Sequence, residues 1–235
     1  MIAAGLHGVS KRFGETIALD GVDLAIDAGE VVGLLGPNGA GKTTALSILL
    51  GLRRPDAGSA EIFGLDPRAP EARVAVGVTP QDSGFPPTLR VREIVELVRA
   101  HFPFPAETDD LLERFALIDV ARRQAGGLSG GERRRLAVAL AFAGEPAAIF
   151  LDEPTAGLDV ESRRAVWGEI DRYCADGGTV LLTTHHLDEA ERLAHRIVVL
   201  ARGRVVAEGT ASDLAGQARA SGLEDAFVAL TEVPA

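Results

Sequence analysis

The chain has 235 residues, 46% of them hydrophobic, and a formal net charge of −10. That length and hydrophobic share are enough to bury a large core in one domain, or in one domain with an extra lobe. The acidic balance repels polyanions and argues against a nucleic-acid-binding protein. A single cysteine, Cys174, excludes an internal disulfide and fits a reducing, cytoplasmic setting.

Membrane insertion is not expected from the sequence. The first ten residues contain no long apolar stretch, so we expect no signal peptide. The longest apolar region runs from Leu136 to Leu151, and Gly144, Glu145 and Pro146 interrupt it, so it is too broken to span a bilayer. If the protein serves transport, another chain must supply the pore.

The N-terminal part predicts strands followed by a loop and a helix. Short strands are predicted around residues 3–9 and 17–26, joined through Arg12-Phe13-Gly14. After a turn, the apolar run Val31–Leu35 is typical of a buried strand. A glycine-rich loop follows, and then an apolar-periodic helix is predicted from about Lys42 to Leu52.

The rest of the chain predicts a helical insertion and then alternating strands and helices. Helical patterns at 91–101 and 108–117 are broken by prolines and indicate an inserted helical lobe. Further elements are predicted as helices at 129–143, 161–175 and 187–194, strands at 147–151 and 179–184, and a hairpin of 197–201 with 204–208. This alternation predicts an α/β fold with a mainly parallel sheet that binds ligands at the carboxyl ends of its strands. We expect a single domain, 1–235, with a core lobe at about 1–81 and 128–220, a helical lobe at about 82–127 and a C-terminal tail at about 221–235.

A phosphate-binding loop is predicted where the third strand meets the first helix. The residues Gly36-Pro37-Asn38-Gly39-Ala40-Gly41-Lys42-Thr43-Thr44 fit the pattern G-x-x-x-x-G-K-[ST]. Its glycines let backbone N–H groups turn toward phosphate oxygens, and the helix N-terminus adds positive partial charge. Lys42 would reach the β- and γ-phosphates of ATP, the Thr43 hydroxyl would ligate Mg²⁺, and Thr44 would donate to a neighbouring phosphate. Lys42 is one of only two lysines in the chain, which indicates a site that needs a compact ammonium group.

Two carboxylates, Asp152 and Glu153, follow the predicted strand at 147–151. A buried strand rarely ends in this way without a partner for the charge. Together with the phosphate-binding loop, the pair predicts that Asp152 holds the Mg²⁺ hydration shell and that Glu153 polarises an attacking water. Capping of a helix by these carboxylates is the alternative interpretation.

The segment Leu128-Ser129-Gly130-Gly131-Glu132 comes shortly before that strand. Here the sequence resembles the ABC ATPase family, whose signature is LSGGQ or LSGGE. The same residues predict a capping box, in which Ser129 caps the helix and Glu132 reaches back, and the two interpretations are compatible. The resemblance covers nearly the whole chain. It implies a P-loop NTPase core with N-terminal antiparallel β strands, an inserted helical lobe and ATP hydrolysis.

The resemblance also assigns roles to single residues elsewhere. Phe13 stands where the family has an aromatic residue, usually tyrosine, that stacks on adenine, although alone it would be interpreted as a core residue. Gln81 matches the Q-loop glutamine that senses Mg²⁺ and the attacking water. Asp159 matches the D-loop, with a helix N-cap as its alternative, and His185 matches the switch histidine that contacts the γ-phosphate. With Lys42, the resemblance therefore implies the catalytic set Glu153, His185, Gln81 and Lys42.

The family geometry implies partners. In relatives, the signature of one subunit closes over ATP held by the phosphate-binding loop of another, which implies a head-to-tail dimer, expected to be a homodimer. The helical lobe is where relatives dock an integral membrane permease encoded as another chain. The resemblance thus implies a cytoplasmic subunit, peripheral on the cytoplasmic face of the cell membrane.

The C-terminal residues bear on the kind of transport. The segment Gly222-Leu223-Glu224-Asp225-Ala226-Phe227 and its continuation to Thr231 resemble the ending of ATPases paired with ABC-2-type exporters. An ordinary amphipathic terminal helix is the alternative. We therefore predict an ATPase subunit that powers export. The rivals are a soluble ABC ATPase of a non-transport complex, such as iron–sulfur cluster assembly, and a nucleotide-binding regulator without turnover, against which Glu153 and His185 argue.

Overall fold

The computed structural model describes residues 1–80 and 84–232. Its strands are β1 (Ile2–Phe13), β2 (Thr16–Asp27), β3 (Val31–Leu35), β4 (Ala57–Ile62), β5 (Val76–Thr79), β6 (Ala148–Asp152), β7 (Thr179–Thr184), β8 (Arg196–Ala201) and β9 (Arg204–Gly209). Its α-helices are α1 (Lys42–Leu49), α2 (Pro70–Val74), α3 (Val91–Arg99), α4 (Thr108–Arg114), α5 (Gly130–Ala141), α6 (Val160–Ala175), α7 (Leu187–Leu193), α8 (Ala211–Ala218) and α9 (Leu223–Glu232).

The packing divides the chain into two compact units. The first unit comprises residues 1–73 and 181–235, and the second comprises residues 74–180. This division groups residues by packing and does not test where functional lobes begin and end. The core lobe, helical lobe and tail expected from the sequence therefore stay predictions.

The first unit contains an antiparallel sheet and a mainly parallel one. The antiparallel sheet has the order β2-β1-β4, with Leu6 of β1 opposite Leu24 of β2 and Ala60 of β4. In the second sheet β3 lies between β7 and β8, and β9 is the antiparallel edge strand. All five residues of β3 are buried, as expected for a parallel strand covered on both faces. The loop that follows β3 therefore starts from a fixed position.

The C-terminal helices complete the core of the first unit. A buried hydrophobic cluster joins side chains of β3, α7, β8, β9, α8 and α9: Leu35, Ala190, Ile197, Val199, Ala207, Leu214 and Leu223. Phe227 and Leu230 of α9 pack against this cluster. The segment that resembles an exporter ending is thus a helix whose apolar side is buried on its own unit.

The second unit packs helices against a parallel strand pair. Val78 of β5 lies opposite Phe150 of β6, and Thr79 lies opposite Leu151. An aromatic group supports the helices, with the ring centroids of Phe115 and Phe142 5.1 Å apart. Nothing in residues 1–80 and 84–232 forms a helix with the length and hydropathy that crossing a membrane requires.

Most predicted elements appear, with shifted ends. β1 and β2 are longer than predicted because they form one continuous hairpin, with Phe13 opposite Thr16. The predicted helix at 42–52 ends at Leu49, because the chain turns and the amides of Leu52 and Arg53 both donate to the carbonyl of Ser47. Four elements, β4, α2, β5 and α8, were not predicted.

Candidate functional site

The phosphate-binding loop lies in the first unit, between the end of β3 and the start of α1. Its backbone is fixed by hydrogen bonds: the amide of Ala40 donates to Pro37 O at 3.1 Å, and the amide of Gly203 donates to Ala40 O at 3.0 Å. The amide of Ala45 donates to Gly41 O at 2.8 Å and so starts the helix. The loop is therefore held both by its own turn and by the β8–β9 hairpin.

Lys42 has its ammonium group inside this loop. The residue is 7% exposed, and its Nζ donates to the carbonyl oxygens of Gly36 at 2.6 Å and Pro37 at 3.2 Å. A nearly buried ammonium group is costly unless polar oxygens surround it. The loop thus places a positive charge where the sequence predicts the terminal phosphates.

A cavity of about 200 Å³ joins the loop to the N-terminal hairpin. Its lining comprises Phe13, Thr16, Ile17, Ala18, Gly39, Gly41, Lys42, Thr43 and Thr44. The structure therefore brings together the aromatic residue and the phosphate-binding residues that the sequence analysis assigned to one ligand. Pro37 and Asn38 are exposed beside it, and Ala40 is buried.

Phe13 is a surface aromatic residue. Its exposed fraction is 42%, which excludes its interpretation as a core residue. The Arg53 guanidinium lies 5.3 Å from the ring centroid and the Lys11 ammonium 5.8 Å from it. These distances fall within the range of cation–π attraction, which orders an exposed ring.

The acidic strand end lies in the second unit. Asp152 is the last residue of β6 and is 3% exposed. Glu153 follows with φ +52, in the left-handed region that residues other than glycine rarely adopt. The next helix, α6, has Asp159 as its N-cap. Neither Asp152 nor Glu153 is therefore the N-cap of α6, the helix that follows them.

Arg134 was not identified from the sequence, although it contacts the backbone around this strand end. Its Nε and its two terminal nitrogens donate to main-chain oxygens at the ends of β5 and β6. The acceptors are Pro154 O at 3.2 Å, Pro80 O at 2.8 Å, Glu153 O at 2.7 Å and Asp152 O. The only signal in the sequence is a run of three arginines, 133–135, whose members look equivalent.

The signature segment begins α5 as a capping box, as the sequence predicted. The amide of Glu132 donates to the Ser129 hydroxyl at 3.2 Å, and the amide of Ser129 donates to the Glu132 carboxylate at 2.7 Å. The Ser129 amide is the largest influence on the pKa of Glu132 and, with Arg123, holds it below its ordinary value. Ser129 and Gly130 are exposed, whereas Leu128 is buried and anchors the segment.

Asp159 is the N-cap of α6, which confirms the helix-capping interpretation of this residue. Its role in the D-loop stays a prediction. Its carboxylate accepts from the Ser162 amide at 2.8 Å, and this hydrogen bond is the main reason why its pKa is lowered. Arg135 donates to the Ser162 hydroxyl at 2.6 Å. Neighbouring arginines of α5 therefore reach different loops.

His185 follows β7 and is exposed, with its ring centroid 4.2 Å from that of His186. Gln81 lies outside the described residues. The oxygen donors expected to serve Mg²⁺, the Thr43 hydroxyl and the Asp152 carboxylate, are of the hard type that this ion prefers. In residues 1–80 and 84–232 no group of three or more His, Cys, Asp or Glu side chains could hold a metal ion. An ion held by one or two protein oxygens and by phosphates suits such a donor set.

Comparison with known proteins identifies the family. The model of the ABC transporter family matches residues 19–156, more than half of the chain. The chain belongs to the ABC transporter family. The predicted P-loop α/β fold and ATPase class are thereby confirmed, and ATP is its nucleotide.

Individual relatives agree with this assignment. The chain is 46% identical to the daunorubicin resistance ATP-binding protein DrrA3 of Streptomyces coeruleorubidus, over 90% of this chain and 69% of that protein. It is 44% identical to the Nod factor export ATP-binding protein I of Burkholderia lata, over 86% of this chain and 69% of that protein.

Two solved structures extend the comparison. An ATP-binding subunit of an ABC transporter superposes with a TM-score of 0.89 at 29% identity, covering 98% of this chain and 99% of that one. A dimeric ATP-binding cassette in a post-hydrolysis state, bound to ADP and Pi, has a TM-score of 0.80 at 29% identity and covers 88% of this chain and 98% of its own. ABC cassettes related to this chain therefore form dimers.

Proposed function

We propose that the protein is the ATPase subunit of an exporter and drives substrate outward through a membrane permease in another chain. The phosphate-binding loop with its buried Lys42 ammonium carries the nucleotide part of this proposal. The export part is supported by the relatives, which are named a daunorubicin resistance ATP-binding protein and a Nod factor export ATP-binding protein. The same names favour export over the soluble iron–sulfur assembly alternative. The expected location is the cytoplasmic face of the cell membrane.

Nucleotide binding is assigned to the cavity of the first unit. The exposed Phe13 ring would stack on adenine, since a π-face free of the core accepts any base. Lys42 would exchange its contacts with Gly36 O and Pro37 O for contacts with the β- and γ-phosphates. Backbone N–H groups at the start of α1, with Thr43 and Thr44, would accommodate the remaining phosphate oxygens.

Hydrolysis is assigned to groups at strand ends. Glu153 would orient the attacking water, with help from His185 and Gln81, and Lys42 would stabilise the charge that develops on the transferred phosphoryl group. Mg²⁺, when bound to ATP, neutralises phosphate charge, and Thr43, Asp152 and Gln81 would hold it. Near-complete burial of Asp152 suits such a role, because a buried carboxylate needs a cationic partner.

The active form is proposed to be a head-to-tail homodimer. Ser129 and Gly130 are exposed at the N-terminus of α5, where a helix end attracts anions. One chain has one phosphate-binding loop and one signature segment, residues 128–132. Two copies would therefore enclose two ATP molecules, each between the loop of one copy and the signature of the other, with Asp159 of the D-loop beside the interface.

Substitution of the proposed base provides the test. Glu153→Gln should bind Mg·ATP, hydrolyse it about 10²–10⁴-fold more slowly and accumulate ATP-bound dimers. Glu145→Gln is a matched control, because Glu145 also precedes a proline, has φ +46 and is exposed. ATPase activity near that of the wild type in Glu153→Gln would refute the role of Glu153. Co-purification with a membrane protein of several spans tests export separately, and isolation with iron–sulfur assembly proteins would contradict it.

A further inference from the structure

We propose that Arg134 is a positioning residue that holds the main chain of Glu153 in its hydrolytic conformation and couples it to the signature segment. The inference rests on the proposed role of Glu153 in hydrolysis. It goes further, since it concerns a residue outside the phosphate-binding loop, the signature, the D-loop and the acidic pair. All the contacts that carry it lie within the second unit.

The first observation is the number of main-chain groups that converge on one guanidinium. Asp152, Glu153 and Pro154 are consecutive, and the carbonyl oxygens of all three accept hydrogen bonds from Arg134. Three carbonyl dipoles directed at one point repel each other unless a cation lies between them. Arg134 is only 9% exposed, so water offers little substitute.

The second observation is the backbone conformation that these bonds hold. Glu153 has φ +52 and precedes Pro154, whose ring disfavours helical conformations in the residue before it. A left-handed conformation costs an L-residue free energy and persists when surrounding contacts fix it. The oxygen of Glu153 itself accepts at 2.7 Å from Arg134 and at 3.1 Å from the amide of Ala156. The guanidinium is therefore a main restraint on the direction of the Glu153 side chain.

The third observation is the position of Arg134 on its helix. It lies on α5, two residues after the end of the signature segment, whose capping box begins that helix. The same helix is joined to β5, because the Thr79 hydroxyl donates to Ala137 O at 3.2 Å and Arg134 donates to Pro80 O at 2.8 Å. Pro80 directly precedes Gln81. A displacement of the signature segment would consequently reach both Pro80 and the main chain of Glu153.

The geometry requires arginine at this position. A guanidinium offers five N–H donors in a planar fork, and here three nitrogens serve at least four acceptors. Arg133, its neighbour, is exposed, and Arg135 bonds to Ser162. Lysine at position 134 would keep the charge, but a single ammonium nitrogen cannot face the same four oxygens together.

The consequence is a link between two nucleotides in the proposed dimer. The signature of one copy acts on the ATP of its partner, whereas Glu153 acts on the ATP held by its own copy. Arg134 joins these two groups within one chain. Closure of the signature on the partner's nucleotide would thus align Glu153 for hydrolysis of the other nucleotide.

Kinetic measurements on Arg134→Gln, Arg134→Lys and the control Arg133→Gln test the proposal. Misplacement of a reacting group by about 1 Å costs about 10²-fold in rate. We expect kcat of Arg134→Gln to fall about 10- to 100-fold with a KM for ATP within about threefold of wild type, and Arg134→Lys to be intermediate. Arg133→Gln should match the wild type. A fall in thermal stability with unchanged kcat per folded molecule would overturn the positioning role.

A double-mutant cycle with Glu153→Gln separates positioning from a general loss of structure. If Arg134 acts through Glu153, then Arg134→Gln should change the residual single-turnover rate of Glu153→Gln by less than about threefold. An equal fold-loss in both backgrounds would overturn the inference. If Arg134→Gln does not fold, the same cycle is run with Arg134→Lys. A change of less than about threefold in the Glu153→Gln background supports the positioning role, and an equal fold-loss in both backgrounds overturns it. Wild-type activity in Glu153→Gln alone would instead refute the proposed function, so the two failures are distinguishable.

Discussion

Substitution of Gly41 by alanine tests the geometry of the phosphate-binding loop most sharply. Gly41 has φ +110, and a Cβ atom there would lie 2.5 Å from Ala18 O and 2.8 Å from Leu19 Cδ2. Ala18 O belongs to the backbone of β2, so it cannot move without disturbing the hairpin. Gly39, in the same loop, has φ +79, and no atom lies within 4 Å of the corresponding position. Gly39→Ala therefore introduces backbone strain alone, whereas Gly41→Ala introduces backbone strain and steric overlap.

The magnitudes follow from these contacts. Both alanine variants incur the cost of a left-handed conformation, about 1–2 kcal/mol. Gly41→Ala adds overpacking against backbone, about 1–3 kcal/mol. Denaturant unfolding should therefore show a loss of about 1–2 kcal/mol for Gly39→Ala and about 2–5 kcal/mol for Gly41→Ala. Equal stability of the two variants, within about 0.5 kcal/mol, would refute this account of the loop.

Two further predictions concern the second unit. The pKa of Glu132 is lowered from 4.5, so its ionised form stabilises the fold above pH 4.5, and that stability is lost as the pH falls from there through the lowered value. Denaturant midpoints measured below pH 4.5 should therefore fall less steeply for Glu132→Gln than for the wild type, and equal slopes would contradict the shift. The nearly buried Glu169 carboxylate accepts from Arg114 at 2.7 Å and from the more exposed Arg172 at 2.6 Å. Arg114→Met should lower the unfolding free energy by about 1–3 kcal/mol, and Arg172→Met by at most about 1 kcal/mol. A larger loss for Arg172→Met would show that burial of the arginine does not determine the strength of its ion pair with Glu169.

The sequence predicted the elements whose signals are local. Strand β7 was predicted at its observed bounds, because its apolar residues are bounded by glycines on one side and histidines on the other. The phosphate-binding loop was predicted because its glycines and its lysine all lie within residues 36–42. The capping box of α5 could be predicted because Ser129 and Glu132 are only three residues apart.

The missed features depend on contacts between distant residues. Strand β4 begins with three exposed residues and has little apolar content, and only pairing with β1 makes it a strand. Arg134 looks like its neighbours in sequence, and its acceptors lie 18 to 20 residues ahead and 54 residues behind. The contact between the Arg53 guanidinium and the Phe13 ring could not be predicted from the sequence either, because Arg53 is 40 positions away and belongs to the segment after α1.

Phosphate release from Mg·ATP by the purified protein tests whether the Lys42 ammonium, buried against Gly36 O and Pro37 O, faces the terminal phosphates of a hydrolysed nucleotide. We expect steady phosphate release by the wild type and a loss of about 10²–10³-fold in Lys42→Met, the size typical of removing one electrostatic stabiliser. Equal rates for Lys42→Met and the wild type, with both proteins folded, would contradict it.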